Sequence, residues 1–401
     1  MRGFWTFQTA GQLVFGPGAV DQLGTLCARR GWRRVLVITD GNLARLGIVA
    51  RVLRGLAGSG VTAAVFDGGQ AEPTLQTAAT ALDAARQTAP EAILGLGGGS
   101  NLDLAKMTAI GLTHGGHPRD YFGYDKVPGP LLPLVCLPTT AGTGSEVSHS
   151  AVLTDPEEEI KVSTLSDYLR PTLAVVDPQL TCSCPPQVTA DSGIDALTHA
   201  IEALTAMDYD QLDVRPDEAT PYSGRFPLGA CLAERAIALV GEFLERAVRD
   251  GTDQEARTGM ALAATLAGIA FSNCGVALVH ALEYPLGAAL HCSHGAGNGL
   301  LLPYVMRFNL PRRTAELARV AELLGADLRG MSPEEAAQQA IVEVERLKLR
   351  IGIPARIGEL GGRPDQLAGW ADKAYAIDRL RRINPRPAER DELLQILQEA
   401  F

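Results

Sequence analysis

The sequence predicts an α/β, Rossmann-like N-terminal domain followed by an all-α C-terminal domain. Three observations carry this. Up to Val176, short β-branched runs alternate with helical patterns. Beyond Pro185-Pro186, strand signals nearly vanish and long helical periodicities follow one another. The 401 residues suffice for two domains, and 46% hydrophobic with 20% charged residues is the composition of a globular chain with substantial cores.

Arg34–Thr39 (RVLVIT) reads as a buried strand, followed by a helical pattern to about Leu56. Val61–Phe66 reads as a second strand. Pro73 opens a helix with Leu75, Ala78, Ala79 and Leu82 on one face. Ala92–Leu96 is a third strand, ending in Gly97-Gly98-Gly99-Ser100, and Asn101–Leu112 is the next helix. Leu134–Leu137 and Thr172–Val176 are later strands. Between them Val147–Leu153 and Ile160–Ser163, joined through Asp155-Pro156, form a candidate hairpin. Such alternation implies a largely parallel sheet covered by helices. The domain boundary is placed at residue 186, giving domains 1–186 and 187–401. The second carries helical patterns at Thr189–Ala206, Leu228–Arg249, Asp253–Ser272, Val276–Ala289 and Gly295–Phe308. Asp208–Pro227 lacks periodicity and reads as a long loop, a length often tied to function.

The net charge of -10 argues against general nucleic-acid binding, which needs a basic surface. It does not exclude an anionic cofactor held by a local loop. No apolar run reaches membrane-spanning length, and the opening Met1–Trp5 lacks a signal-peptide core. Seven scattered cysteines with no zinc-finger spacing suggest buried filler in a reduced, cytoplasmic chain.

Candidate nucleotide contacts cluster in the first domain. Asp40 follows a strand. Gly97, Gly98, Gly99 and Ser100 lie between a strand and a helix that carries Asp103 and Lys106 in its first turns. Pro138–Glu146 follows another strand and offers hydroxyls on Thr139, Thr140, Thr143 and Ser145. A glycine turn at a helix start lets backbone N–H groups face phosphate at the positive end of the helix. An acid at a strand end accepts from an adenosine ribose and repels a 2′-phosphate. The usual G-x-G-x-x-G preceding such an acid is absent, since here the acid comes first. The plain alternative is a tight strand-to-helix connection with Asp40 in a turn.

In the second domain Asp195 and His199 stand four apart and share one helix face. His280 interrupts an apolar helix, where a polar ring must find a partner. His294 follows fourteen residues later, at the start of another helix. Three imidazoles and a carboxylate suit a first-row divalent ion and leave room for a substrate oxygen. The alternative makes His280 a hydrogen-bonded core histidine and Asp195 a cap.

Taken together, these motifs resemble the iron-containing (group III) alcohol dehydrogenases, from Val14–Gly18 to Asn384–Pro387. The resemblance implies the dehydroquinate synthase-like fold, with an N-terminal dinucleotide-binding domain, a helical metal-binding domain and an active site between them. It implies Asp195, His199, His280 and His294 as ligands of Fe2+, with Zn2+ as a possible substitute. It implies NAD contacts at Asp40, Gly97, Gly98, Gly99, Ser100, Thr139, Thr140 and Thr143, with Leu153 and Lys161 near the nicotinamide ribose. A small alcohol, or an aldehyde or ketone in reverse, is the expected substrate, with no nucleic acid or membrane partner and a homo-oligomer, a dimer, as the expected assembly.

Two departures stand out. Many members carry a His-Pro pair four residues after the first helical-domain histidine, where this chain has Tyr284-Pro285. A tyrosine hydroxyl or a water would then replace an imidazole proton relay. The 208–227 segment, with Tyr222-Ser223-Gly224, is similar to one in hydroxyacid–oxoacid transhydrogenases. A transhydrogenase that retains its nicotinamide is therefore the first rival, a dehydroquinate synthase-like lyase the second, and a non-enzymatic binding protein the third.

Overall fold

A computed structural model describes residues 3–157, 160–214 and 218–401. They form two compact units. One is Thr9–Cys184; the other is Pro185–Phe401 together with the described residues up to Gln8. The sequence reading kept the opening residues with the α/β part. Here they join the helical unit, where Gln8 and Asn273 exchange two 2.8 Å hydrogen bonds.

The first unit contains β1 (Leu13–Phe15), β2 (Arg34–Ile38), β3 (Thr62–Phe66), β4 (Ala92–Gly97), β5 (Gly123–Tyr124), β6 (Leu134–Pro138), β7 (Ser150–Asp155), β8 (Ile160–Leu165) and β9 (Leu173–Val176). Six of them make one parallel sheet in the order β1-β9-β6-β4-β2-β3. Alternate residues feed two cores. Val35, Val37, Leu94 and Leu96 pack on one face, and Leu36, Ile38, Ile93 and Cys136 on the other. A sheet buried on both sides needs continuous apolar strands, which explains runs such as RVLVI and AILGLG. β7 and β8 pair antiparallel as a hairpin, with the first strand starting at Ser150, not at Val147, and the second reaching Leu165, and β5 adds to β8. The helix after β3 runs Leu75–Thr88, capped by Thr74, which accepts from Thr77 N. Its buried face is Ala78, Ala81, Leu82 and Ala85, whereas Ala79 is exposed. Adjacent helix positions lie about 100° apart, so Ala78 and Ala79 do not share a narrow stripe.

The helical unit is built on Pro186–Thr205, Pro227–Arg249, Gln254–Cys274, Leu278–Leu290 and His294–Asn309, followed by Pro333–Ile351 and shorter helices. The break between the third and fourth falls at Gly275, at φ 109°. Among the described residues no single helix is long and apolar enough to cross a membrane; only these two, bent by 106°, pass as a pair, and both are mostly buried. The stretch between Thr205 and Pro227 is a loop in its described residues; 215–217 lie outside them. Asp208 ties its ends, accepting from Arg225 at 2.7 Å and from Arg313 at 2.9 Å. None of the seven cysteines forms a disulfide.

Candidate functional site

Three helices of the second unit converge because glycines let them approach. A Cβ on Gly295 would lie 2.0 Å from the Asp191 carbonyl oxygen and 3.1 Å from Asp195 Cβ. One on Gly299 would strike Ile194 at 2.7 Å. The His294 helix therefore lies close against the Asp195 helix, and His294, its first residue, faces Asp195. Ligand atoms of Asp195, His280 and His294 all lie within 4.8 Å of one another.

Each of the two imidazoles is gripped from behind. Glu202 Oε2 accepts from His280 Nδ1 at 2.6 Å, while its Oε1 accepts from Val279 N at the unsatisfied N-terminus of the same helix. Glu283 Oε2 lies 2.5 Å from His294 Nδ1. A proton on Nδ1 leaves Nε2 of each ring as the acceptor, the tautomer a metal ligand needs. Both Nε2 atoms face one point, which also receives Asp195 Oδ1. The Asn298 amide nitrogen lies 2.8 Å from Asp195 Oδ1, 3.3 Å from His280 Nε2 and 3.1 Å from His294 Nε2. An amide has two hydrogens for these three acceptors. A cation satisfies all three, so the residues present fit a first-row divalent ion.

Burial pushes the Asp195 carboxyl up, but positive charge on the neighbouring imidazoles when they are protonated, together with the Asn298 amide, outweighs it and holds Asp195 below the usual carboxylate range. His199 lies outside the tight trio. Its Nδ1 is 3.8 Å from Asp195 Oδ2, and its ring stacks on His280 at 4.8 Å and on Phe271 at 4.3 Å. Tyr284 stands edge-on to His280 at 6.4 Å and tilted to His294 at 6.1 Å. The Arg379 guanidinium donates to the hydroxyls of Tyr284 and Tyr222, and burial pushes the Tyr222 phenol up to about 12.

In the first unit, Gly98 caps the helix Gly99–His114 directly after β4. A Cβ on Gly99 would sit 2.7 Å from Thr143 Cγ2, and one on Gly98 3.5 Å from Thr140. The glycine turn and the threonine segment are thus adjacent, and Thr139 N donates to Gly97 O at 2.9 Å. Asp40 Oδ1 caps the next helix through Asn42 N and Leu43 N, while Oδ2 accepts from Asn101 Nδ2 at 2.7 Å. Ser100 Oγ donates to Ala71 O. Asp103 and Ser145 are joined at 2.6 Å, with Asp103 also accepting from Val152 N. Lys106, fully buried, donates to Ser145 at 2.9 Å and to Ser150 O at 2.7 Å. Burial pushes its ammonium down and Asp103 opposes the shift. Leu153 is buried in the sheet's core, and Lys161 pairs with Glu72 at 2.7 Å.

Sequence reasoning missed Glu202, Glu283, Asn298 and Asn101. Spacing marks the first three. Glu202 is three residues after His199, Glu283 three after His280, and Asn298 four after His294, so each shares a helix face with one of the histidines singled out in the sequence.

Residues 10–178 match the family model described as iron-containing alcohol dehydrogenase, and residues 189–401 match its C-terminal family. The NAD-dependent methanol dehydrogenase of Bacillus methanolicus is 35% identical over 388 residues, covering 97% of each chain. Long-chain-alcohol dehydrogenase 1 of Geobacillus thermodenitrificans is 39% identical over 399 residues, covering 97% of this chain and 96% of that one. Among solved structures, a 1,3-propanediol oxidoreductase superposes with a TM-score of 0.93 at 34% identity, covering 99% of this chain and 100% of the other. With both family models matched along nearly its whole length, the chain belongs to the iron-containing alcohol dehydrogenase family.

Proposed function

We propose that Asp195, His199, His280 and His294 hold one divalent ion, iron with zinc as its substitute, and that Asp40, the Gly97–Ser100 turn and Thr139, Thr140 and Thr143 hold NAD. As a family member the protein is an NAD(H)-dependent alcohol oxidoreductase, moving a hydride between an alcohol and the nicotinamide, or to an aldehyde or ketone in reverse. The observation that carries this reading is the convergence of Asp195 and two imidazole Nε2 atoms on one point, with a carboxylate behind each ring. A bound divalent ion supplies Lewis acidity toward the substrate oxygen. Glu202 and Glu283 keep the two rings aimed. The Tyr284 hydroxyl, receiving a hydrogen bond from Arg379, takes the place of the imidazole relay for the hydroxyl proton. In the other unit, the backbone N–H groups after Gly98 receive the pyrophosphate at the helix N-terminus. The Lys161 and Leu153 positions sit on the hairpin proposed to border the nicotinamide ribose.

The relatives' names speak of methanol, long-chain alcohols and 1,3-propanediol, which supports a primary alcohol as substrate. Seven cysteines without a disulfide support a reducing, cytoplasmic setting. We expect a homodimer, to be checked by sedimentation. The direct test is metal analysis of anaerobically purified protein, coupled to an NADH absorbance screen over alcohols, aldehydes and hydroxyacids. One equivalent of iron and net NADH formation with a primary alcohol are expected. Turnover between a hydroxyacid and an oxoacid without added NAD would instead favour the transhydrogenase.

Asp40→Gly tests the cofactor assignment. Glycine is tolerated at a helix N-cap at a cost of a few tenths of a kcal/mol, and losing the Asn101 hydrogen bond adds about 1 kcal/mol, so the fold should survive. With the carboxylate gone, the preference for NAD over NADP should fall by about tenfold or more, roughly 1.4 kcal/mol. An unchanged ratio of kcat/KM values for the two cofactors would remove Asp40 from the ribose site.

A further inference from the structure

We infer that Glu283 is a positioning residue that sets how tightly the protein holds its metal, acting through His294. The inference rests on the metal reading above. His294 is the ligand that packing fixes least. Its side chain is 33% exposed, against 2% for His280 and 3% for Asp195. It is the first residue of its helix, follows Ser293, which makes no capping bond, and comes just after His291 in a left-handed turn at φ 51°. A ring in that position can swing toward solvent unless something holds it.

Glu283 supplies the hold. Its carboxylate is fully buried and reaches His294 Nδ1 from the neighbouring helix. The His294 helix makes room for it, since a Cβ on Gly297 would lie 2.9 Å from Glu283 Cγ. Burying a carboxylate is costly unless a charged or hydrogen-bonding partner offsets it. His294 offsets it most fully when a cation lies on the far side of the ring, because the ion draws electron density from Nε2 and strengthens the Nδ1–H donor. The buried carboxylates of Asp195 at the centre and of Glu202 and Glu283 behind the rings give the site a net negative charge that a dication offsets. Glu283 therefore favours the loaded site both through geometry and through charge.

The test titrates metal-depleted full-length protein with Zn2+ against a chromophoric chelator, and separately with Co2+, whose absorption bands report imidazole ligation. Glu283→Gln keeps an acceptor for Nδ1 and loses the charge; it should weaken Zn2+ binding about tenfold. Glu283→Met loses both and should weaken it about a hundredfold, the range typical of lost partners behind a ligand. In a His294→Ala background neither change should weaken binding further, because the effect runs through that ring. NAD affinity and circular dichroism should match the wild type throughout. Should Glu283→Met fail to fold, the Gln variant decides alone. Wild-type Zn2+ affinity in either folded variant, or losses that simply multiply with His294→Ala, would overturn the inference. Failure of the parent protein to bind any divalent ion would instead overturn the metal reading itself.

Discussion

Replacing His280 with alanine is expected to abolish metal retention and turnover together while NAD binding persists. His280 is the most enclosed of the three imidazoles proposed as ligands and is held on both sides, by Glu202 at Nδ1 and by Asn298 at Nε2. Its removal takes away one of the converging donors and leaves Glu202 Oε2 without the imidazole. Lewis-acid assistance is worth several kcal/mol, so its loss corresponds to a fall in kcat of roughly a thousandfold or more. Removing the ring also takes a hydrogen-bond donor from a buried carboxylate, which costs about 1.5–3 kcal/mol of stability. Here Val279 N still donates to Glu202 Oε1, which softens the loss. The measurement therefore pairs metal content and steady-state rate with NADH fluorescence titration and thermal melting. A variant that melts normally, binds NAD and keeps wild-type activity would end the assignment of His280 to the metal.

The same contacts show what the sequence could and could not reveal. Asp195, His280 and His294, which the structure brings together, were legible from local rules, namely a helix face, a polar ring in an apolar helix and the start of a periodic run, whereas His199 obeys the i,i+4 rule with Asp195 and still lies outside the trio. The parallel sheet was legible because strands buried on both faces must be apolar throughout. β1 and β5 were not, since three- and two-residue strands carry too little pattern to be seen. The carboxylates behind the imidazoles were not read either. Glu202 meets His280 across 78 residues of chain and Asn298 meets Asp195 across 103, so their roles exist only after the helices pack. The glycines of the His294 helix belong to the same class. In a sequence they weaken a helix by roughly 1 kcal/mol each relative to alanine. In the structure Gly295, Gly297 and Gly299 are what let one helix lie against its neighbours. Asp40 shows the reverse situation. The plain reading as a turn residue is true of its Oδ1, which caps a helix, while its Oδ2 accepts from Asn101, a contact no local pattern shows.

Gly97→Ala is expected to give the complementary result, with NAD binding lost and metal retention unchanged. Gly97 ends β4 at φ 147°, a region L-residues rarely adopt. A Cβ there would lie 2.2 Å from Asn101 Nδ2 and 2.9 Å from Asn101 Cβ. Asn101 is 3% exposed and links Asp40 Oδ2 to Leu96 O, so it has no room to withdraw. Backbone strain of about 1–3 kcal/mol and overpacking of a similar size both fall on the connection that aims the helix N-terminus. If even about 2.7 kcal/mol of that appears in binding, NAD affinity drops roughly a hundredfold. The proposed metal centre is built entirely from residues of the other unit, so iron content should stay at the wild-type level. An NAD dissociation constant within twofold of the wild type would show that the glycine turn does not shape the cofactor site. Loss of metal along with NAD would show that the two units fail together, and the His280→Ala result could then no longer be read as a local effect.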